Sequence, residues 1–300
     1  MVTLSSLGPT LNAVTRLRYE VVDVFTDRPF TGNQLAVVFG ADALAADQMQ
    51  ALAREFNFSE TVFLLPPTTD AATYRLRIFT PGMELPFAGH PSVGAAVTQV
   101  RAGLIKAGDV VQECGAGLLP VTVSDSAATL TGGTPTVGPE LDPAPLLAMA
   151  GLTEADDAGP APRVAGCGLD FAYLSVRPQA VARAAGDPRA TSPAAGLSVF
   201  SWDAQSRTAH TRVFVPEAGV PEDPATGSAA LGFGVWLVAS RLLPGEGTAE
   251  YRIRQGVELH RPSTLDCTVT AADGAARVAT VTGHVVAVAS GEIMVPPFVG

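Results

Sequence analysis

"ELPFAGHPSVGAA", residues 84–96, and "GVPEDPATGSAA", residues 219–230, are the two stretches that decide the fold. In each, a turn containing proline leads directly into a run of small residues that begins a helix. The first N–H groups of a helix have no partner within it, so each start can bind a carboxylate or a developing oxyanion. His90 lies at the first helix start, and Asp223 lies just before the second.

The two stretches belong to a longer internal repeat. Shifting the chain by 135 residues places Arg77–Pro81 over Arg212–Pro216 and Pro86 over Pro221. The matches fall on a strand, a turn and a helix start in the same order. The alternative is a chance alignment of common prolines and glycines. We expect two similar halves, each a β-sheet curled around one apolar helix, with a cleft between them.

Hydrophobic periodicity divides the chain into these halves. Residues 1–16 are predicted to be a loose extension, residues 17–130 the first half, and residues 131–300 the second, whose last strand could pack back on the first. Helical spacing predicts a helix over Ala43–Glu55 and a short one near Pro145–Ala150, within a connector rich in proline and glycine. Strands are predicted over residues 18–25, 34–39, 59–67, 73–80, 109–124, 128–133, 171–177, 197–203, 209–216, 250–270 and 276–295.

The composition excludes several classes of protein. The 19 Lys and Arg against 29 Asp and Glu give a net charge of -10 and a pI near 4.8, so neither nucleic acid nor an anionic membrane is an expected partner. The longest apolar stretch, before Arg241, is shorter than the roughly 18 residues that span a bilayer. The three cysteines are widely separated and form no C-x-x-C pair, which favours the reducing cytoplasm.

Glu60 is the candidate proton-transfer group. It lies in "NFSETVF", residues 57–63, between two phenylalanines, and partial removal from water raises the pKa of a carboxyl group. The alternative is an exposed glutamate at the start of a strand. His90 is expected to stay neutral, because the dipole at a helix start disfavours charged imidazole. Its alternative is a capping histidine whose ring is paired with the backbone.

Asp223 gains interest from its position in the repeat. In isolation it is an ordinary acidic residue that favours the positive end of a helix. If the halves face each other, the two helix starts form a two-sided site with His90 on one wall, Asp223 on the other and Glu60 between them. Glu84 is expected to be a turn residue outside this site.

Other chemistries lack their motifs. The sequence contains no G-x-S-x-G nucleophile elbow, no G-x-x-x-x-G-K-[ST] phosphate loop, no H-E-x-x-H and no well-formed G-x-G-x-x-G. The four histidines are scattered, so no metal site is expected.

The chain resembles the phenazine biosynthesis PhzF-like family in five motifs, which are in order "DVFTDRPFTGNQLAVV", "EFNFSETVF", "RIFTPGMELPFAGHPSVGAA", "RVFVPEAGVPEDPATGSAA" and "RQGVELHRPS". The resemblance runs from about Tyr19 to Gly291. It implies an α+β, diaminopimelate epimerase-like fold, in which each pseudo-symmetric half is a β-barrel around a central helix. It also implies an active site in the cleft, usually a homodimer, and isomerisation without a cofactor, best understood for trans-2,3-dihydro-3-hydroxyanthranilate.

The resemblance assigns roles to individual residues. Glu60 would move a proton from one substrate carbon to another, with His90 and Asp223 as its catalytic companions. The helix-start backbone at Gly89 and at Gly227–Ser228 would hold the carboxylate of the substrate. Ser59 and Thr226 complete the predicted substrate-binding residues.

The predicted function is therefore a cofactor-independent isomerase of a small carboxylate-bearing metabolite. One alternative is a racemase or epimerase of the same fold that works without thiols, since neither helix start carries a cysteine. Another is a catalytically idle binding protein. Two departures from the family pattern could reshape the pocket: Gln34 stands where a proline is frequent, and His260 where a glycine is frequent.

Overall fold

The computed structural model describes residues 16–187, 189–216 and 220–297. Over these ranges strands alternate with helices, and two of the helices are almost completely enclosed by sheet. The extension predicted at residues 1–16 lies outside the described residues, except for Arg16, which begins the first strand.

The first half closes into a barrel. Its elements are β1 (Arg16–Val24), β2 (Asn33–Val38), α1 (Ala46–Phe56), β3 (Glu60–Leu65), β4 (Tyr74–Phe79), β5 (Glu84–Leu85), α2 (Gly89–Arg101), β6 (Gly108–Cys114), β7 (Gly117–Val123) and β8 (Ala127–Thr131). The strands pair in the order β1-β2-β3-β4-β6-β7-β8. The last strand of the chain, β17 (Ala275–Met294), pairs with both β8 and β1 and completes the ring.

Helix α2 fills this barrel. Its residues from Gly89 to Gln99 are all buried, because strands enclose its whole circumference and not one stripe of it. The small side chains of the helix let the strands approach closely. A Cβ atom on Gly94 would lie 2.5 Å from Leu35 Cδ2 and 2.8 Å from Val24 Cγ2, so this glycine is required by packing.

The second half wraps around α5 in the same way. Its elements are β9 (Thr136–Glu140), α3 (Pro143–Met149), a 3₁₀ turn (Glu154–Asp156), β10 (Arg163–Gly166), β11 (Asp170–Ser175), α4 (Pro178–Val181), β12 (Leu197–Asp203), β13 (Thr208–Val215), β14 (Val220–Asp223), α5 (Gly227–Ala239), β15 (Gly247–Gln255) and β16 (Ser263–Ala272). The sheet order is β9-β10-β11-β12-β13-β15-β16-β17. Aromatic rings of the sheet, including Phe200, pack against Phe233 and Trp236 of α5. The predicted fold class is confirmed.

Strand β17 belongs to both sheets. Its first part pairs with β16, its middle pairs with β8, and its end pairs with β1 from Val285 to Met294. The two barrels therefore share one continuous strand, which fixes the distance and the angle between them.

The connector between the halves differs from the prediction of an irregular segment with one short helix. It contains the additional strand β9, whose sequence includes Gly138 and Pro139 and shows no apolar alternation. These residues are tolerated because β9 pairs with β10 on one side and forms an edge of the sheet. The short helix begins at Pro143, two residues before the predicted start, because Asp142 caps it by accepting from Ala144 N–H.

Each half of the protein contains an equivalent ion pair, as expected from the internal repeat. Arg77 on β4 contacts Glu84 on β5 at 2.6 Å, and Arg212 on β13 contacts Glu222 on β14 at 2.5 Å. Each pair joins a strand to the segment that leads into the central helix. The strands repeat at 135 residues but the helix starts are 138 residues apart, so the second copy has three more residues between strand and helix.

Candidate active site

A cavity of about 230 Å³ lies between the starts of α2 and α5, where the two halves meet. The helix starts touch each other. A Cβ atom on Gly89 would lie 3.0 Å from Gly227 Cα and 3.1 Å from Ser228 N. The eight residues predicted for the site all line this cavity: Ser59, Glu60, Gly89, His90, Asp223, Thr226, Gly227 and Ser228.

Each polar side chain of the site lies at or near the end of a helix or strand that borders the cavity. Helix α1 ends at Phe56, and the capping residue Asn57, with a left-handed φ of +54°, turns the chain so that Glu60 can begin β3. His90 is the second residue of α2. Asp223 ends β14, and Thr226 is the N-cap residue of α5. Glu84 does not line the cavity but pairs with an arginine at the surface.

Glu60 and His90 face each other inside the cavity. Glu60 Oε2 lies 3.5 Å from His90 Nε2, and the two side chains are only 16% and 4% exposed. Neither atom has a hydrogen-bond partner in the described part of the chain. Buried polar atoms are almost always paired. These two are therefore positioned to contact a molecule that enters the cavity.

Burial controls the charge of the site. It raises the pKa of Glu60 to about 8, and the negative charge of Asp223 adds to this, whereas a hydrogen bond with the neighbouring serine opposes it. Burial raises the pKa of Asp223 to about 6, against hydrogen bonds from Thr226 and Asn33. Burial lowers the pKa of His90 to about 3. Near neutral pH the site thus combines a protonated Glu60, an ionised Asp223 and a neutral imidazole.

Asn33 is more than the turn residue expected from its Gly-Asn pair. Its amide nitrogen donates to Asp223 Oδ1 at 2.8 Å and to the carbonyl of Ala225 at 2.9 Å, and it lies 3.2 Å from His90 Nδ1. Its amide oxygen accepts from Ser59 Oγ at 3.1 Å. The sequence feature that could have identified Asn33 as a site residue is its polar side chain at the start of the otherwise largely apolar strand β2.

Gln255 is a second polar residue that the sequence did not single out. Its amide nitrogen donates to the Asp223 carbonyl at 2.7 Å and to Thr226 Oγ1 at 3.0 Å. Its amide oxygen accepts from Thr226 N–H at 3.2 Å. Gln255 thereby holds the segment between β14 and α5 in place. Gln255 lies at the end of β15, distant in sequence from the residues that it contacts, so its position alone did not indicate a place in the site.

Apart from Thr80, the remaining walls of the cavity are apolar. They come from β5 and the turn before α2 in the first half, and from the β10–β11 hairpin, the segment before β12 and the end of β13 in the second. These residues are Leu85, Phe87, Leu169, Phe171, Ala195 and Val215. In sequence they are indistinguishable from core residues, so only the tertiary structure identifies them.

Comparison with known proteins identifies the family. A sequence model of the family described as phenazine biosynthesis-like protein matches residues 22–291. This chain belongs to that family. The trans-2,3-dihydro-3-hydroxyanthranilate isomerase of Pseudomonas aeruginosa is 35% identical over 286 residues, which cover 92% of this chain and 98% of that protein. An uncharacterized isomerase of Mesorhizobium japonicum is 36% identical over 299 residues, with coverage of 92% and 98%.

A solved structure agrees with the fold. The PhzF-family phenazine biosynthesis protein of Bacillus anthracis superposes with a TM-score of 0.83 at 23% identity, over 93% of this chain and 99% of that one. Together, these relatives identify the chain as an isomerase of the phenazine biosynthesis-like family.

The two departures from the family pattern do not line the cavity. Gln34 and His260 are both absent from its lining, and an effect of either residue on the shape of the pocket stays a prediction. His260 lies in the turn after β15 with φ of +55°, a conformation that glycine adopts without strain. Gln34 contributes through its backbone, which hydrogen-bonds to His90.

The three cysteines take no part in the site. None of them lines the cavity, and burial raises the pKa of the Cys167 thiol to about 12. Within the described ranges, no group of three or more His, Cys, Asp or Glu side chains could hold a metal ion. No helix in those ranges is long and apolar enough to cross a membrane.

Proposed function

We propose that this isomerase moves a proton between two carbons of a small carboxylate-bearing metabolite, without a cofactor. The observation that carries the proposal is the pair of unpartnered buried atoms, Glu60 Oε2 and His90 Nε2, which face a largely apolar cavity. A relative with 35% identity is named for such a substrate, trans-2,3-dihydro-3-hydroxyanthranilate.

Glu60 acts as the proton carrier. Its ionised carboxylate removes a proton from one substrate carbon, and the electrons of the broken C–H bond form a new double bond. The resulting carboxylic acid returns the proton to a different carbon as the original double bond moves. Atoms and electrons balance within one molecule. The raised pKa makes Glu60 a stronger base than an ordinary glutamate, which suits abstraction from carbon.

His90 and Asp223 support this step in different ways. His90 is neutral, so its imidazole can orient the carboxyl group of Glu60 without holding it as a permanent ion pair. The charge of Asp223 strengthens the basicity of Glu60. The N–H groups at the starts of α2 and α5 bind the substrate carboxylate, since two helix dipoles converge there.

The cavity limits the substrate to a small molecule with one carboxylate and a predominantly apolar body. No lysine or arginine is among its lining residues, so a second anionic group would lack a counter-charge. Assembly as a homodimer and a cytoplasmic location remain predictions.

The test is isomerisation of trans-2,3-dihydro-3-hydroxyanthranilate in D₂O, followed by NMR. We expect the isomerised product, with deuterium at the newly protonated carbon wherever the Glu60 carboxyl group exchanges with solvent before it returns the proton, and loss of the reaction in Glu60→Gln. Deuterium at the carbon bearing the carboxylate, with inversion there, would show an epimerase instead. If the compound binds and neither isomerised product nor exchange is found at any pH, the idle binding protein is the correct alternative.

A further inference from the structure

Asn33 links the polar residues of the site, because its side chain contacts His90 and Asp223 directly and also contacts Ser59, the neighbour of Glu60. It is buried, with 1% of its surface exposed, and it opens β2 in the first half while contacting the start of α5 in the second. The preceding Gly32 has φ of +72°, and a Cβ atom there would lie 2.4 Å from Val24 O. Arg261 donates to the carbonyl of Gly32 at 2.7 Å, so the turn before Asn33 is held from both sides.

The contacts of Asn33 determine which way its amide points. The nitrogen faces two acceptors, Asp223 Oδ1 and the Ala225 carbonyl, and the oxygen faces the hydroxyl of Ser59. A flipped amide would place its oxygen against two other oxygens and would lose all three hydrogen bonds. Both hydrogens of the amide nitrogen are therefore committed within the protein, and Asn33 does not need a substrate to pair it.

Asp223 is held at both of its carboxylate oxygens. Oδ1 accepts from Asn33, and Oδ2 accepts from Thr226 Oγ1 at 2.6 Å. Hydrogen bonds donated to a carboxylate favour its ionised form. A carboxylate that is bonded in this way at both oxygens is a fixed negative charge and a poor proton carrier.

We propose that Asn33 is a positioning residue that keeps Asp223 ionised and in place beside Glu60, and so determines how firmly Glu60 holds its proton. The role of Asp223 then differs from that of Glu60: it supplies charge, and Glu60 moves the proton. The inference rests on Glu60 being the proton carrier proposed above, but it can be tested without a substrate.

Other charged groups near the site are already paired. Glu222, next to Asp223, is held by Arg212 at 2.5 Å. Asp23, behind the turn before Asn33, is held by Arg261. Facing Glu60 itself are His90, which is neutral, and Asp223. Asp223 is therefore the negative charge among these groups that acts on Glu60.

The test measures the titration of Glu60 by ¹³C NMR in protein labelled at the glutamate carboxyl carbon. The Glu60 signal is assigned as the one missing in Glu60→Gln. In the unmodified protein we expect a midpoint near pH 8. Asn33→Ala removes a donor from Asp223, so Asp223 binds a proton more readily. A neutral Asp223 no longer disfavours the charge on Glu60, so the Glu60 signal should begin to ionise at a lower pH than in the unmodified protein.

Tyr251→Phe is the matched control. It removes the buried hydrogen bonds of the tyrosine hydroxyl, to the carbonyl of Ala230 in α5 and with Cys267, and Tyr251 does not line the cavity. We expect the Glu60 midpoint to stay unchanged in this variant. An unchanged midpoint in Asn33→Ala, or an equal fall in both variants, would overturn the inference.

A second variant covers the possibility that Asn33→Ala does not fold. Thr226→Val removes the hydrogen bond to the other oxygen of Asp223 and keeps the branched shape of the side chain. The Glu60 midpoint should fall in the same direction, and no change in a folded Thr226→Val protein would also refute the inference. None of these titrations requires turnover. Their results can therefore be interpreted even if the protein does not catalyse the proposed isomerisation.

Discussion

Replacing Glu60 by glutamine should abolish catalysis and at the same time stabilise the fold in alkaline solution. The substitution keeps the size and shape of the side chain but removes the group that titrates. General acid/base assistance is typically worth about 10²- to 10⁴-fold in rate, so we expect a loss of at least this size in kcat.

The stability effect follows from the burial of Glu60. Its pKa rises from the usual 4.5 to about 8 in the folded protein, chiefly because burial disfavours the charge. Below pH 4.5 the carboxyl group is neutral in both the folded and the unfolded chain, and it contributes no penalty. Between the two pKa values the unfolded chain has lost the proton and the folded protein has kept it, so stability falls as pH rises. Above pH 8 the penalty is complete.

The magnitude is set by the separation of the two pKa values. Each pKa unit corresponds to about 1.4 kcal/mol, so the penalty on the unmodified protein has an upper bound of roughly 5 kcal/mol above pH 8. The Glu60→Gln variant has no ionisable group at this position and does not incur this penalty. We expect the difference in unfolding free energy between the variant and the unmodified protein to grow by up to about 1.4 kcal/mol for each pH unit between about pH 5 and about pH 8.

The assay is urea unfolding of both proteins at a series of pH values, together with the isomerisation assay in D₂O. Glu55→Gln, at an exposed position on α1 outside the cavity, is the control, because it makes the same chemical change where the side chain is not buried. A pH-independent difference for Glu60→Gln would refute the burial argument. Near-full activity in a correctly folded Glu60→Gln protein would refute the role of Glu60 in catalysis.

Three further predictions concern the same site and its surroundings. Because Glu60 must first be ionised, kcat/KM should rise with pH and level off above about pH 8, and a profile that falls over this range would contradict the base role. Gly89→Ala should abolish binding of substrate or destabilise the fold, since its Cβ would lie 3.0 Å from Gly227 Cα, whereas calorimetry on Gly82→Ala, with its nearest contact at 3.8 Å, should show no change. Mass spectrometry after treatment of the folded protein with iodoacetamide should find Cys114 modified and the two buried cysteines untouched; rapid modification of all three would contradict the packing.

Much of this protein is determined by its sequence alone. Period-2 alternation locates the long strands, and small residues after "GHP" and "DPATGS" locate the two central helices. These signals are local, because strand pleating and helix starts depend on neighbouring residues. Glu60 and His90 are recognisable for the same reason, since each one lies near the start of a predicted element, whereas Asp223 becomes a candidate only through its position in the repeat.

The tertiary structure decides what depends on distant residues. Asn33 looks like a turn residue until the fold brings it within hydrogen-bonding distance of Asp223, 190 residues later. Leu169 and Phe171 look like core residues until the β10–β11 hairpin places them at the cavity. The sequence of strand β9 shows no alternation of polar and apolar residues, and the strand forms because its backbone pairs with β10. Above all, the raised pKa of Glu60 comes from burial between two halves that a linear sequence does not bring together, which is why the chemistry of the site belongs to the fold.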